Sequence, residues 1–488
     1  MGEAPPERGA RPSAAPNIGS AAADEASAPA EAVAPVEPEL GESLVPEIEH
    51  DAPPTVADIA VAPVEGDWAM FRGNGSRSGV RDAPAITSPR ILWSARVGIQ
   101  GYAATPVLTA DAIYVASQGE AHDSGVSADE RDGVMRLDPS NGAVVWRVAM
   151  QRDVNSVALY EDTLVVGTDS GALYALDPAT GDVRWQQNTE CNVYQSPAYA
   201  NGHLYFPRRR GLGRLNLQTG VPAGGSLGEC TNNERGVGSV ASDGTVFMAS
   251  EKRLLETFTG ADIQWNVRPV PDQIGSIGTW SPPLLTESLA LVTVHEWSFG
   301  PYVDRASLRP AVFAFWRDNG QLAWTIDVNS RARATPSTST QTPFLRAMPW
   351  VDGERVWFTP TNRGEIAWFD PTNGQYGGAI ELPDCRSRQF SSIVGVPGTG
   401  YLARHDGVLY AFNTTGEPAL QWSLSLGQHG DTGGRTTHDP IGAGCEATPR
   451  DSTALFSTPS IGADGTLYVG SGDGYIYAIG QNTDAGNQ

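Results

Sequence analysis

A tryptophan returns along this chain behind the same short turn. The cleanest copy runs Ala175-Leu176-Asp177-Pro178-Ala179-Thr180-Gly181-Asp182-Val183-Arg184-Trp185, and Arg136-Leu137-Asp138-Pro139-Ser140-Asn141-Gly142-Ala143-Val144-Val145-Trp146 matches it. Weaker copies end at Trp265, Trp324 and Trp422. Each copy reads as a strand, an Asp-x-x-Thr/Asn-Gly turn and a second strand with a large apolar anchor. Asp and Gly supply the turn, Gly taking the position that needs positive φ. Repetition at about 50 residues restricts the fold to a propeller, a solenoid or an array.

Eight such units can be aligned. The first begins at Thr105-Pro106-Val107 and ends at Trp146; the third has no Trp after Gly220; the sixth offers only Tyr376 or Ile380 as anchor. The eighth, from Ser457-Thr458-Pro459 to Tyr475-Ile476-Tyr477-Ala478-Ile479, stops one strand short. At the other end, Ile91-Leu92-Trp93-Ser94-Ala95-Arg96-Val97 is an anchor strand with no turn before it. Pairing the two ends closes the ring and removes its open sheet edges. The expected fold is therefore all-β, an eight-bladed propeller of four-stranded antiparallel blades closed by the N-terminal strand. Apolar segments are short and alternating, bounded by Gly, Asn, Asp and Pro, so almost no helix is expected. Trp93, Trp146, Trp185, Trp265, Trp324 and Trp422 are expected to anchor each blade to its neighbour. A fully buried indole removes about 150–250 Å² from water, an upper estimate of about 4–6 kcal/mol each.

Composition separates a leader from this repeat. Residues 1–66 carry 13 acidic groups against two arginines, about half of the net charge of −23, and no aromatic residue. Such a segment cannot bury enough apolar surface to offset its chain entropy. It is expected to be a disordered tether, with the propeller over 67–481 and a disordered tail at 482–488. The acidic balance argues against nucleic acid as a partner. No stretch reaches the roughly 18 apolar residues of a membrane span. No signal peptide is visible after Met1, so the alternatives are a cytoplasmic protein or a chain that begins after a removed export signal, with which a lipid anchor would have gone; the disulfides expected below favour the second.

The repeat resembles the PQQ-like repeat, an eight-bladed propeller with tryptophan-docking motifs, over about Asp67 to Gln481. The segment Asp67-Trp68-Ala69-Met70-Phe71-Arg72-Gly73-Asn74-Gly75-Ser76-Arg77-Ser78-Gly79 is similar to the start of many such propellers. The resemblance implies one of two roles. Some members are quinoprotein dehydrogenases, with a disulfide between adjacent cysteines against the quinone, a catalytic Asp and a Ca²⁺. Others are non-enzymatic scaffolds, including the propeller lipoprotein of the outer-membrane barrel-assembly machinery. This sequence has no Cys-Cys pair, and neither the Ca²⁺ ligands nor the catalytic Asp can be placed by motif. No catalytic residue, no metal and no cofactor is expected; pyrroloquinoline quinone with Ca²⁺ belongs to the alternative reading.

The four cysteines, Cys191, Cys230, Cys385 and Cys445, all fall between the last strand of one unit and the first of the next, and such connections emerge on one face of a propeller. Of the three possible pairings, only Cys191–Cys230 with Cys385–Cys445 joins neighbouring blades. A disulfide tolerates about 4.4–6.8 Å between Cα atoms, which excludes opposite sides of a ring. Each bond is expected to contribute roughly 2–4 kcal/mol and implies an oxidising compartment, periplasmic, outer-membrane-associated or extracellular.

The same face carries two enlarged connections, Gln118 to Asp132 and Glu296 to Arg309. The second holds Trp297, Phe299 and Tyr302 beside Asp304, Arg305 and Arg309, residue types typical of interaction hot spots. Arg208-Arg209-Arg210 offers three cations that suit a carboxylate or phosphate. His429, Asp431, His438 and Asp439 match no metal-ligand spacing. No nucleophile elbow, zinc-binding helix or phosphate loop occurs. The expectation is a monomeric cell-envelope scaffold that uses the cysteine-bearing face for a protein or glycan partner. The alternatives are a quinone-dependent dehydrogenase with an atypical site and a ligand-sensing ectodomain.

Overall fold

A computed structural model describes residues 50–101, 104–119, 132–150, 153–168, 170–189, 193, 195–208, 211–223, 237–249, 255–267, 274–278, 281–294, 296–299, 311–327, 347–359, 364–382, 391–404, 407–426 and 457–483. Eight antiparallel blades form the propeller that the repeat implies, and the one helical element among the described residues is a three-residue 3-10 turn at Ala57–Ile59. Blade 1 consists of Val107–Leu108, Ile113–Gln118, Asp132–Leu137 and Val144–Ala149; blade 2 of Val154–Tyr160, Thr163–Thr168, Ala172–Leu176 and Val183–Asn188. Inner strands of blades 4 to 7 lie at Val237–Val240, Leu284–Leu285, Trp350–Val351 and Val394–Val396. The ring closes as the unpaired ends require. Pro89–Arg96 pairs antiparallel with Tyr475–Gln481 and supplies the outer strand of blade 8.

Among the described residues blade 3 shows three strands, Ala198–Ala200, His203–Arg208 and Gly211–Asn216, with a single bridge between Leu215 and Pro222 at the place of the fourth. Proline has no N–H for a ladder, so Pro222 limits pairing where the other blades continue.

The outer strands share one irregularity. In seven blades the pairing slips by one residue just before the anchor position: Val145 precedes Trp146, Arg184 precedes Trp185 and Leu92 precedes Trp93 without a partner of their own. A bulge kinks the strand and re-aims the next side chain. Here it sends the indole onto the turn of the following blade. Trp93, Trp146, Trp185, Trp265 and Trp422 donate their Nε1–H to the carbonyls of Pro139, Pro178, Leu217, Arg317 and Ile86, at 2.9, 3.2, 2.7, 3.1 and 2.6 Å. The ring plane covers the turn glycine: a Cβ on Gly220 would stand 2.7 Å from the Trp185 ring, and one on Gly320 2.7 Å from Trp265. Trp265 and Trp324 are buried, whereas Trp93, Trp146, Trp185 and Trp422 keep one edge in solvent. Their burial thus stabilises by less than the full-burial estimate.

Two seams do without a tryptophan, and both present an arginine. Between blades 3 and 4, Arg214 Nη1 faces Gly260. Between blades 6 and 7, Arg355 donates to the carbonyls of Thr414 and Gly416 while lying over Trp357 and Trp368, 5.8 and 5.9 Å from the ring centroids. Neither Tyr376 nor Ile380 anchors blade 6: Tyr376 is exposed, and Ile380 points into the apolar cluster around Trp350 and Trp357. The anchor position is Gly378, whose strand partner is Trp368; a Cβ on Gly378 would fall 2.1 Å from that indole. The tryptophan has crossed to the neighbouring strand.

Towards the axis, hydroxyls lace one inner strand to the next. Ser196 Oγ donates to Val157 O at 3.2 Å, Ser239 Oγ to Pro283 O at 2.6 Å and Ser460 Oγ to Pro106 O at 2.5 Å. Ser392 Oγ accepts from Met348 N at 3.0 Å. These four hydroxyls are satisfied while the strands stay close-packed.

Trp265→Ala is expected to cost about 3–5 kcal/mol in urea unfolding and Trp146→Ala, half exposed, measurably less. Gly202→Ala and Gly220→Ala isolate the stack itself. Both residues have positive φ, near 77° and 67°, but only Gly220 lies under an indole. The left-handed conformation costs each alanine about 1–2 kcal/mol, and Gly220→Ala is expected to lose clearly more than Gly202→Ala. The turn carboxylates respond to acid. Bonds from Ser140, Arg184 and Thr372 hold Asp138, Asp177 and Asp370 below the usual carboxylate range. A lowered folded value means stability that is present above the unfolded value and is lost as pH falls through the folded one. The gap in Tm between wild type and Asp177→Asn is therefore expected to shrink from pH 7 to pH 2.

Candidate functional site

Each blade runs back and forth along the axis, so its first-to-second and third-to-fourth turns emerge on one face. The second-to-third and blade-to-blade connections emerge on the other, called here the loop face. The chain itself covers the turn face. Residues 58–81 lie across the ends of the inner strands and bond to them in turn. Trp68 exchanges both backbone bonds with Leu108 of blade 1; Leu159 N of blade 2 donates to Ala69 O; Val240 N of blade 4 to Gly75 O; Leu285 N of blade 5 to Ser76 O; and Gly395 of blade 7 is bracketed by Gly79 O and Arg81 N. The composition of residues 1–66 suggests a tether throughout, yet packing starts earlier: Ile59 and Val64 are buried against the ring.

Two arginines form the centre of this floor, 0 and 1% exposed. Arg72 donates from Nη1 to Pro349 O of blade 6 at 2.7 Å and from Nη2 to Ser78 O at 3.1 Å. Arg77 donates from Nη1 to Phe71 O at 3.2 Å and from Nη2 to Gly238 O at 3.1 Å. Among the described residues neither meets a carboxylate. Main-chain carbonyl dipoles replace the counter-charge, in part only. Burial, then the proximity of Arg77, pulls the Arg72 guanidinium well below its ordinary value. Tyr160, fully buried, bonds to Arg77 and donates to Pro197 O of blade 3; burial pushes its phenol up to about 12. One hub thus ties together blades 2, 3, 4 and 6.

No described segment crosses the loop face. Its described inner edge at blades 1 and 2 is a buried cluster of amides and carboxylates. Gln118, at the end of the second strand of blade 1, donates from Nε2 to Oδ1 of Asn155 in the inner strand of blade 2 at 2.9 Å. Asp132 and Asp153 lie alongside in sequence, 4 and 7% exposed. Gln100 is fully buried, and its Oε1 has no partner among the described residues. None of these residues forms a motif, and the Gln118–Asn155 pair joins positions 37 apart. The signal available in sequence was only their place at the strand ends beside the enlarged connection.

Of the expected partner-binding residues, the backbone of Arg208, Trp297 and Phe299 is described, at strand ends that lead to this face. Arg208 closes the second strand of blade 3, paired with Gly211. Trp297 and Phe299 lie in Glu296–Phe299, which pairs with Ile274–Gly278 as a two-stranded ribbon between the blade 5 connection and the blade 4-to-5 connection. The side chains of Arg208, Trp297 and Phe299 lie outside the described residues, as do Arg209, Arg210, Tyr302 and all four cysteines. The strands flanking each cysteine are described. They put Cys191 between blades 2 and 3, Cys230 between 3 and 4, Cys385 between 6 and 7 and Cys445 between 7 and 8. Among the described residues no group of three His, Cys, Asp or Glu side chains converges. No helix there is long and apolar enough to cross a membrane.

A ring of bulged outer strands with indoles docked on the next turn defines the class, and the comparisons agree. The family model described as outer membrane protein assembly factor BamB matches residues 47–148 and 130–293. The chain belongs to this family of PQQ-like repeat β-propellers. No curated protein sequence matches it. Among solved structures it is similar to BamB from Moraxella catarrhalis, at 16% identity and a TM-score of 0.54 over 80% of this chain and 99% of that one. It is also similar to the quinohemoprotein alcohol dehydrogenase of Comamonas testosteroni, at 13% identity and 0.57 over 86% and 81%. A europium-containing methanol dehydrogenase gives 12% identity and 0.54 over 85% and 98%. At such identities the likeness is one of fold.

Removing the phenol from the hub tests the floor. Tyr160→Phe is expected to cost about 1.5–3 kcal/mol in urea unfolding, because the lost bond involves a buried charge. A change below about 0.5 kcal/mol contradicts the hub.

Proposed function

We propose that the protein is a periplasmic or outer-membrane-associated scaffold, acting as a monomer, that binds a protein partner through its loop face. One observation carries the reading: the chain's own N-terminal segment covers the turn face of a ring stapled at its seams, while no described segment crosses the loop face. In chain order the two enlarged connections and all four cysteines fall between strands whose ends lie on that side. Loops on a rigid frame are where binding residues concentrate. Family membership supports the compartment, because the matching model is described as an outer-membrane assembly factor. The disulfides Cys191–Cys230 and Cys385–Cys445 belong to the same proposal and would brace neighbouring loops for docking.

The resemblance to alcohol and methanol dehydrogenases makes quinone chemistry the rival. The adjacent-cysteine pair expected against a quinone does not fit this chain, whose cysteines are separated by at least 39 positions. No step through a quinone is derived.

Two measurements separate the readings. Affinity capture from envelope extracts is expected to recover a partner with the intact protein and to lose it when 119–131 and 297–308 are shortened; capture that survives both deletions contradicts the loop face as the binding side. Incubation with pyrroloquinoline quinone and Ca²⁺ is expected to leave no bound chromophore and no alcohol-dependent dye reduction; either signal overturns the scaffold. Thiol titration of the denatured, unreduced protein is expected to find no free thiol, and four free thiols would sink the pairing.

A further inference from the structure

The third-to-fourth-strand turn of blade 5 departs from its counterparts in side chains but not in backbone. In blades 1, 2 and 6 the residue four before the turn glycine is Asp138, Asp177 or Asp370, followed by Pro, and its Oδ1 accepts the N–H two residues on at 2.8 Å. In blade 5 those places hold Trp316-Arg317, followed by Asp318. The turn still closes in the same way: Gly320 N donates to Trp316 O and Trp316 N to Gln321 O, both at 2.9 Å, as Gly142 and Asp138 do at 2.8 and 2.9 Å in blade 1. The unusual side chains are therefore not needed to make the turn.

Trp316, Asp318 and Gln321 converge on the N-terminal segment, and Arg317 acts through the adjacent turn. The Trp316 ring stacks on the imidazole of His50 at 3.8 Å and 5°. Both carboxylate oxygens of Asp318 lie within 3.0 Å of His50 Nε2. Gln321 reads the backbone of the same residue, Oε1 accepting from His50 N at 2.8 Å and Nε2 donating to His50 O at 3.1 Å. Arg317 Nη1 holds the carbonyls of Thr286 and Glu287, each at 2.7 Å, and so sets the adjacent turn of the blade. That turn offers Ser288 N to Asp58 O at 2.9 Å and Glu287 N to Ala60 O at 2.8 Å. Ser288 Oγ donates to Asp58 Oδ1 at 2.8 Å, and Thr286 Oγ1 to Asp58 O at 2.7 Å.

We propose that the blade 5 turns form a dedicated receptor for residues 50–60 of this chain, recognising the imidazole of His50 and the backbone carbonyls of His50, Asp58 and Ala60. It fixes the point where the acidic leader joins the ring at the rim of the turn face, away from the loop face. Stacking, a carboxylate hydrogen-bonded to the ring nitrogen and a backbone-reading amide act together on one residue, which is the chemistry of peptide recognition rather than of turn closure.

The test is amide hydrogen exchange on the full-length protein. Trp316→Asp with Asp318→Ser gives blade 5 the residues that close the turn in blade 1, and His50→Ala removes the ligand side. Both variants are expected to speed exchange at residues 57–60 about tenfold or more. Amides of the blade 5 strands Leu289–Val294 and Ala311–Trp316, outside the substituted positions, are expected to keep their protection. Unchanged exchange at 57–60 in both variants overturns the proposal. So does equal loss of protection in the blade 5 strands, because the side chains would then serve the blade and not the segment.

Discussion

One contact organises this molecule: an indole on the outer strand of one blade covering the turn glycine of the next. A bulge aims the tryptophan and a positive-φ glycine leaves room for the ring; at Trp93, Trp146, Trp185 and Trp265 a carbonyl three residues before that glycine also accepts the indole N–H. Each element alone is ordinary. Together they convert eight separate sheets into a ring whose neighbours cannot slide, because the ring plane and the hydrogen bond fix two directions at once. Where the tryptophan is missing, Arg214 and Arg355 occupy the seam, and Arg355 bonds to carbonyls of the next turn much as the indoles do.

The rigidity has a functional consequence because, among the described residues, the chain covers the turn face and not the loop face. Residues 58–81 bond to inner strands on both sides of the axis, and Arg72 reaches blade 6, which their backbone does not. Burying two guanidiniums without carboxylates is costly. Two of the carbonyls that hold them, Pro349 O and Gly238 O, come from the inner edge of the ring, and two, Ser78 O and Phe71 O, from the segment itself. The segment and the ring are thereby tied together at the turn face.

Much of this was legible in sequence, for reasons that individual residues make clear. Asp177, Gly181 and Trp185 announce a blade because turn chemistry and spacing are local. The missing strand of blade 8 and the orphan strand at Trp93 were readable as two halves of one sheet. Blade 6 was not readable: its tryptophan stands on the third strand, as Trp368 opposite Gly378, and only the register reveals the exchange. The floor was hidden because arginine is ordinarily an exposed residue, so nothing local distinguishes Arg72 or Arg77 from a surface cation. The Gln118–Asn155 pair and the seat of His50 were hidden by distance along the chain, 37 and 268 residues from their partners. Acidic composition made the leader look uniform, although its last part carries the apolar residues Ile59 and Val64 that pack against the ring.

The central claim is that the protein works through the loop face. Photo-cross-linking residues introduced at Ala128 and Ser307, in the enlarged connections, and at Ala179 and Thr219, in turns of the opposite face, test it most directly in intact cells. Adducts to one envelope protein from the first two positions and none from the second two are the predicted result. Adducts from Ala179 and Thr219 alone would contradict the account.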